Sequence, residues 1–210
     1  MQAILQSPVL PAAIELVDGA CVEAIERAGA GPVPFTAPFL LVEVDGREAV
    51  VDDEAKILGD LLTEAGAEVR VAANEEESRA LWDGRRAISE GLREAAPAKT
   101  SEDAAVPIAR LVELLDGVAR LAEPLRLTHV SYGHAGDGNI HVNVLYDPAE
   151  GPISERVERF RSGLFDLVLA LGGTISGEHG VGISKRPFIA RELSPDSMAL
   201  QRAIKSRLRS

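Results

Sequence analysis

The order of apolar and polar residues predicts helices and strands in alternation over most of the chain. A mostly apolar run at Phe39–Val44, closed by an Asp-Gly pair, is typical of a strand followed by a turn. Apolar residues at helical spacing in Asp52–Ala65 predict a helix, and Gly66 is a residue type that commonly ends helices. We expect a short strand at Glu68–Ala72 and a loop over the Pro- and Gly-rich segment Gly29–Pro38.

The rest of the chain continues this alternation. Asn74 is a good N-terminal cap for a helix that runs to about Ala95 and ends before Pro97. The further predicted elements are an extended segment at Ala104–Val106, helices at Ile108–Ala122 and Ser154–Leu171, strands at Arg126–Tyr132 and Ile140–Tyr146, and a last helix from about Pro195. Because a short turn separates the two strands, they favour an antiparallel hairpin in an α+β fold with helices on one face of the sheet.

Composition argues against several classes of function. The chain has 33 acidic and 22 basic residues, and its formal net charge of −11 disfavours binding to nucleic acid. With one cysteine, Cys21, it can form neither an internal disulfide nor a cysteine metal cluster. No signal peptide or membrane span is predicted, so we expect a cytoplasmic protein. The basic stretch at residues 184–210 leaves open a solvated helix face, contact with a partner domain, or peripheral contact with the inner face of the membrane.

The segment around position 137 carries two of the four histidines in the chain. Asp137–Gly138 is a strong signal for a two-residue hairpin turn, and a turn there would place His134 directly opposite His141. Opposite side chains lie ~4.5–5.5 Å apart at Cβ and share a face, so the two imidazoles can bind one cation. By alternation Asn143 should face the same side, whereas His129, five residues before His134, should face away. From the residues alone, a metal site and a pair of polar residues on a solvated sheet face are both open.

A glycine-rich stretch, Leu171–Ile183, surrounds Glu178 and His179. It lacks the Gly-Lys-Ser/Thr of a P-loop and the GxGxxG pattern, so it does not predict nucleotide binding. Glu178 is a candidate third ligand, because two imidazoles and one carboxylate form a common catalytic zinc or iron(II) site with open positions. His179 would then lie beside the metal, where a neutral imidazole can accept a proton. A surface Glu-His pair in a flexible loop is the alternative.

Together these two segments resemble the C-terminal domain of the FAD-linked oxidase family, whose flavin domain is of the vanillyl-alcohol oxidase type. D-lactate dehydrogenases, the glycolate oxidase flavoprotein subunit and D-2-hydroxyglutarate dehydrogenases belong to that family. The matching stretches are His134-Ala-Gly-Asp-Gly-Asn-Ile-His141, Ser176-Gly-Glu-His-Gly-Val-Gly182, and a third block with Trp82-Asp-Gly-Arg85-Arg86, Glu102-Asp103, Val106-Pro107 and Arg110. The resemblance covers residues 35–208. It implies a domain at residues 35–210, preceded by a helix and loop at residues 1–34, and two ferredoxin-like α+β halves with antiparallel sheet.

The resemblance also implies a role for eight residues. His134, His141 and Glu178 match the family's metal ligands, His179 matches its proposed base, Arg85 and Lys99 match residues that hold the substrate carboxylate, and Ser89 and Asn143 match further polar groups near the substrate. These roles imply oxidation of a small D-2-hydroxy acid to the 2-oxo acid, with FAD and a divalent metal (zinc, iron or manganese) as cofactors. The choice among lactate, glycolate, 2-hydroxyglutarate and a longer acid is left open.

The family's flavin-binding domain has no counterpart in this sequence. We therefore expect the chain to need a flavin-binding domain or subunit as its partner and to be inactive alone. Apolar surface that such a partner would cover predicts self-association, for instance as a homodimer. Two alternatives are a metal-dependent carboxylate-binding module or accessory subunit without catalysis, and a metallohydrolase in which His179 activates a water molecule.

Overall fold

A computed structural model of the chain describes residues 1–29 and 37–208. Its helices are α1 (Gln2–Leu5), α2 (Gly19–Ala28), α3 (Glu48–Glu64), α4 (Glu75–Glu94), α5 (Leu111–Ala122), α6 (Ile153–Ala170) and α7 (Pro195–Leu208). Its strands are β1 (Ala13–Val17), β2 (Phe39–Glu43), β3 (Ala98–Ala105), β4 (Thr128–His134) and β5 (Asn139–Tyr146). These elements confirm the α+β class. Most of the predicted loop Gly29–Pro38, and with it the boundary after residue 34, lies outside the described residues, so the domain division stays a prediction.

The described strands form one antiparallel sheet in the order β2-β1-β4-β5-β3. Strand β5 lies between β4 and β3, and all but its last residue are buried. Strand β1 was not predicted, yet it joins β2 to β4, with Leu16 opposite Leu40 on one side and Gly133 on the other. The N-terminal part of the chain therefore contributes to the sheet that carries the two candidate histidines.

Helices cover both faces of this sheet, which corrects the expectation that they pack on one face. Ile140, Val142 and Val144 of β5 face a core that α5 and α6 complete. Leu145 and the β4 residue Val130 face a second core, which α2 and α4 complete. A central strand with apolar residues on both sides buries them only when both sides are covered, and this explains the arrangement.

The hairpin between β4 and β5 has a different register from the predicted one. His134 lies opposite Asn139, and His141 lies opposite Tyr132, so the loop is four residues long rather than two. Two backbone hydrogen bonds to other segments explain the longer loop. The Gly136 N–H donates to the Ile14 carbonyl at 3.0 Å, and the Gly138 carbonyl accepts from the Val106 N–H. The register shift is two residues, so both histidines still face the same side as diagonal neighbours.

The predicted strand Glu68–Ala72 is absent, and these residues form a connection between α3 and α4. Val71 is 60% exposed, and among the described strands none lies beside this segment. Extended chain without a hydrogen-bonded neighbour is not a strand, and the propensity of its two valines does not replace that neighbour. By contrast β3 starts at Ala98, six residues before the predicted extended segment, because β5 pairs with all eight of its residues.

The last helix, α7, lies outside both cores, and none of its described residues is buried. It exposes Leu200, Ile204 and Leu208 on a helix whose last turn is basic. No helix in the described part of the chain combines the length and apolar character needed to cross a membrane. Self-association through exposed apolar surface stays a prediction.

Candidate metal centre

Two strands and the glycine-rich segment bring His134, His141 and Glu178 together. One ligand atom from each residue lies within 4.8 Å of those from the other two. Nε2 of His141 is 3.4 Å from Oε1 of Glu178, and Nε2 of His134 is 3.8 Å from Oε2. The structure therefore assembles the two imidazoles and the carboxylate that the sequence predicted as ligands.

This donor set fits a divalent cation. Zinc binds imidazole nitrogen and carboxylate oxygen at about 2.0–2.2 Å, which puts neighbouring ligand atoms about 3.3–3.6 Å apart in a tetrahedron. The observed N–O separations of 3.4 and 3.8 Å are close to this spacing. Two imidazoles and one carboxylate also leave positions for an oxygen of a substrate.

His141 lies deep between aromatic neighbours. Its ring centroid is 5.3 Å from that of Tyr132 and 5.2 Å from that of His179, which stacks on it at an interplanar angle of 13°. Burial lowers the pKa of His141, and the Glu178 carboxylate offsets this only in part. Near neutral pH the lowered pKa favours the uncharged imidazole, which is the form that binds a metal.

Asp103, at the end of β3, anchors the glycine-rich segment to the sheet. It is fully buried, and its Oδ2 accepts hydrogen bonds from the backbone N–H groups of Glu178 at 2.7 Å and of His179 at 2.8 Å. The buried Lys185 ammonium donates to its Oδ1 and, at 3.1 Å, to its backbone carbonyl. Burial alone would raise the pKa of Asp103, but these hydrogen bonds together hold it below its usual value. Because Asp103 lies opposite His141, the anchor ties the loop to the strand of a second ligand.

His179 lies beside the ligand cluster without being one of its three members. Its side chain is 51% exposed, with Nε2 3.5 Å from Oε1 of Glu178 and Nδ1 3.6 Å from Oδ1 of Asp103. Its Nδ1 therefore faces Asp103, and its Nε2 faces the side of the ligand cluster. The geometry suits a proton acceptor.

Arg85 reaches the cluster through Glu15, a β1 residue that was not among the predicted site residues. Nε and Nη2 of Arg85 lie 2.9 and 2.7 Å from Oε2 of Glu15, while Oε1 of Glu15 is 2.7 Å from Nδ1 of His134. The guanidinium also lies 5.0 Å above the Tyr132 ring centroid. Arg86, in contrast, is exposed and pairs within α4, so Arg85 is the arginine that faces the sheet.

The other predicted substrate residues lie in two places. Asn143 is fully buried next to His141, whose carbonyl accepts from its Nδ2 at 3.0 Å, and its Oδ1 has no partner in the described part of the chain. Lys99 donates to the backbone carbonyl of Ser89 at 3.3 Å, one helical turn beyond Arg85 on α4. Burial lowers the pKa of Lys99, and the charge of Arg93 acts in the same direction. Lys99 and Ser89 thus contact each other rather than the three ligands.

Three residues of the site were not given a role from sequence: Glu15, Asp103 and Lys185. Glu15 interrupts the apolar run Ala-Ile-Glu-Leu-Val, and an acid inside an apolar strand is a signal, since a buried carboxylate needs a partner. Asp103 belonged to a matching block but carried no assigned function. Lys185 gave no signal, because lysines are mostly exposed.

Comparison with known proteins decides the family. A family model described as "FAD linked oxidases, C-terminal domain" matches residues 1–208. The chain belongs to this family. The match confirms the resemblance drawn from the motifs and extends it from residue 35 to the N-terminal residue.

Relatives in the family share about three residues in ten with this chain. It is 31% identical over 205 residues to glycolate oxidase subunit GlcD of Escherichia coli strain K12, an alignment that covers 97% of this chain and 41% of that protein. It is 28% identical over 209 residues to the mitochondrial D-lactate dehydrogenase [cytochrome] of Arabidopsis thaliana, covering 98% and 37%. The chain therefore spans about two fifths of the length of these curated relatives.

A solved structure of p-cresol methylhydroxylase with substrate bound has the same fold. The TM-score is 0.67, and the match covers 92% of this chain and 43% of that chain at 15% sequence identity. This likeness supports the fold assignment of the FAD-linked oxidase domain.

Proposed function

We propose that this domain binds a divalent metal and a small D-2-hydroxy acid, and that it forms the substrate half of an FAD-dependent dehydrogenase or oxidase that releases the 2-oxo acid. The proposal is carried by the cluster of His134, His141 and Glu178, whose ligand atoms lie within 4.8 Å of one another. The names of the two relatives, a glycolate oxidase subunit and a D-lactate dehydrogenase, support a 2-hydroxy acid as substrate. FAD, held mainly by a flavin-binding domain or subunit, supplies the electron acceptor when bound.

The groups around the cluster have separate roles in the chemistry of the substrate hydroxyl. When bound, a divalent metal (zinc, iron or manganese) lowers the pKa of a hydroxyl that it coordinates. His179 accepts the hydroxyl proton at Nε2, since its Nδ1 faces Asp103 and its Nε2 lies on the side of Glu178. The Asp103 anchor keeps this imidazole in place, because it holds the backbone N–H groups of both Glu178 and His179.

Arg85 and Lys99 bind the substrate carboxylate in this proposal. Arg85 directs Nε and Nη2 to Glu15, so Nη1 is the nitrogen that we assign to the substrate. Lys99 adds a point charge from β3, and Ser89 adds a polar group one turn from Arg85 on α4. Asn143 supplies an amide next to His141.

Titration calorimetry on the purified chain tests this proposal, with glycolate and acetate as a matched pair that differ by one hydroxyl. With zinc present we expect glycolate to bind at least about tenfold more tightly than acetate, which is about 1.4 kcal/mol. Without zinc the two affinities should be equal. An Arg85→Ala change should weaken both ligands, whereas Arg86→Ala, at an exposed position, should weaken neither.

Three results would contradict the proposal. The first is a glycolate affinity that does not depend on zinc. The second is zinc-dependent hydrolysis of an ester such as p-nitrophenyl acetate, which would indicate a metallohydrolase instead. The third is a chain that binds glycolate in the presence of zinc but, when joined to a flavin-binding domain, leaves the visible flavin absorbance unchanged. This result would indicate a binding module without catalysis.

Sedimentation of the chain with and without a flavin-binding domain tests the proposed partner and the proposed homodimer together. Cell fractionation tests the proposed cytoplasmic or peripheral membrane location.

A further inference from the structure

A buried carboxylate on β1 connects the metal ligands to the arginine. Glu15 lies in the middle of β1, opposite Leu41 on one side and His134 on the other. Only 5% of its surface is exposed. Burial of a charged side chain costs free energy unless hydrogen bonds and an opposite charge compensate for it, so the partners of Glu15 are expected to be specific.

The two oxygens of Glu15 have different partners. Oε2 lies 2.9 Å from Nε and 2.7 Å from Nη2 of Arg85, so two guanidinium nitrogens meet this one oxygen. Oε1 is then directed to Nδ1 of His134 at 2.7 Å. Arg85 therefore holds one oxygen of Glu15, and the other oxygen meets the histidine.

This contact selects one tautomer of His134. An ionised carboxylate can only accept hydrogen bonds, so Nδ1 of His134 must carry the proton. In the neutral ring Nε2 then holds the lone pair, and Nε2 is the atom that faces Glu178. Nδ1 of His141, in contrast, has no hydrogen-bond partner in the described part of the chain, and neighbouring rings position it instead.

We propose that Glu15 is the positioning residue of this metal centre: it holds His134 in the tautomer whose Nε2 binds the cation, and it joins that ligand to Arg85. This inference rests on the metal site of the proposed function. One carboxylate then connects the ligand sphere to the group assigned to the substrate carboxylate. Partners of this kind on ligating histidines are typically worth about 10–100-fold in metal affinity.

Nitrogen NMR of the metal-free chain, labelled with ¹⁵N-histidine and kept near pH 8, tests the tautomer directly. We expect His134 to carry its proton on Nδ1 in the wild-type chain and to lose this preference in Glu15→Ala. Glu15→Gln should lose it as well, because its one amide oxygen stays with the two Arg85 donors and its amide nitrogen, a donor, then faces Nδ1 of His134. His129 is the internal control, since it pairs with Val144 and faces the other side of β4.

Zinc titration of the same proteins supplies the second measurement. Glu15→Ala should weaken zinc binding about 10–100-fold. Glu15→Gln should not recover this loss, because an amide donor at Nδ1 favours the tautomer of His134 that carries its proton on Nε2. Glu102→Gln is the matched control: it also removes a buried carboxylate paired with an arginine, at 2.7 Å from Arg161, but the ion pairs of Glu102 involve none of the three ligands. It should bind zinc as the wild-type chain does.

The outcomes separate this inference from the proposed function. A wild-type His134 with its proton on Nε2 would overturn the inference without any variant, even if Glu15→Ala does not fold. Equal zinc affinity in wild type and Glu15→Ala would overturn it as well, while the metal site itself would stand. A wild-type chain that binds no zinc would overturn the proposed function, and the NMR measurement, made without metal, would still decide whether Glu15 sets the tautomer of His134.

Discussion

Replacing Asp103 with asparagine tests how the loop that carries Glu178 is held. The amide keeps the shape of the side chain, and its oxygen can still accept from the two backbone N–H groups that Oδ2 now serves. The amide nitrogen would then point at the Lys185 ammonium, so a donor would face a donor. The change therefore removes the ion pair and leaves the loop hydrogen bonds in place.

The expected cost follows from the burial of this pair. The side chains of Lys185 and Asp103 are 5% and 0% exposed, so Asp103→Asn leaves a cation that water does not reach. Breaking one side of a buried pair costs about 3–5 kcal/mol. Glu102 Oε2, 3.9 Å from the ammonium, offsets part of this, so we expect about 3 kcal/mol. At about 2–4 °C per kcal/mol for a chain of this size, the melting temperature should fall by about 6–12 °C.

Urea unfolding followed by circular dichroism measures this cost, and a double variant tests its cause. Asp103→Asn/Lys185→Met removes both charges, so it should be far more stable than Asp103→Asn alone. Asp103→Ala also removes the loop hydrogen bonds, and we expect it to weaken zinc binding more than Asp103→Asn does. The reasoning would be refuted by an Asp103→Asn chain within about 0.5 kcal/mol of wild type, the range of ordinary surface changes, or by a double variant no more stable than the single one.

Three further predictions concern the fold around the site. Gly138 and Gly172 have similar φ values of +82° and +77°, but only a Cβ at Gly138 would collide with the Val106 carbonyl oxygen. Gly138→Ala should therefore lower the free energy of unfolding by about 1–3 kcal/mol more than Gly172→Ala does. Equal losses of the two variants in urea unfolding would contradict this. Burial raises the folded-state pKa of Glu102 above its unfolded value, so its protonated form contributes stability below about pH 4 that is lost as the pH rises through the folded pKa. The free energy of unfolding of Glu102→Gln, relative to that of wild type, should therefore be higher at about pH 7 than at about pH 4. The opposite order in urea unfolding would refute the raised pKa of Glu102. Cys21 is fully buried and burial raises the pKa of its thiol, so Ellman's reagent should label it at the rate of unfolding, and immediate labelling of the native chain would contradict the burial.

The two histidines of the hairpin could be predicted from sequence although the register could not. Alternation along a strand fixes which residues share a face, and a register shift of two residues leaves that unchanged. The Asp-Gly pair indicated the position of the turn. The hydrogen bonds that lengthen the loop come from Ile14 and Val106, far away in the sequence, so no local pattern contains them.

The rest of the site depends on contacts between distant segments. Glu15 and His134 are 119 positions apart, and Asp103 is 75 positions from Glu178. Sequence spacing predicts neither distance, because each depends on how β1 and β3 take their places in the sheet. Arg85 shows the intermediate case: motif offset favoured Arg85 over Arg86, and Arg85 is the one that faces the sheet, but its pairing with Glu15 follows from the burial of both side chains.

The metal content of the purified chain tests the central claim most directly. After loading with zinc and removal of excess metal, elemental analysis should give one equivalent for the wild-type chain and close to none for His134→Ala/His141→Ala. His129→Ala is the matched control, because that histidine faces the other side of β4, and it should retain the full equivalent. Equal zinc in all three proteins would contradict the account, because the cation would then bind somewhere other than between His134, His141 and Glu178.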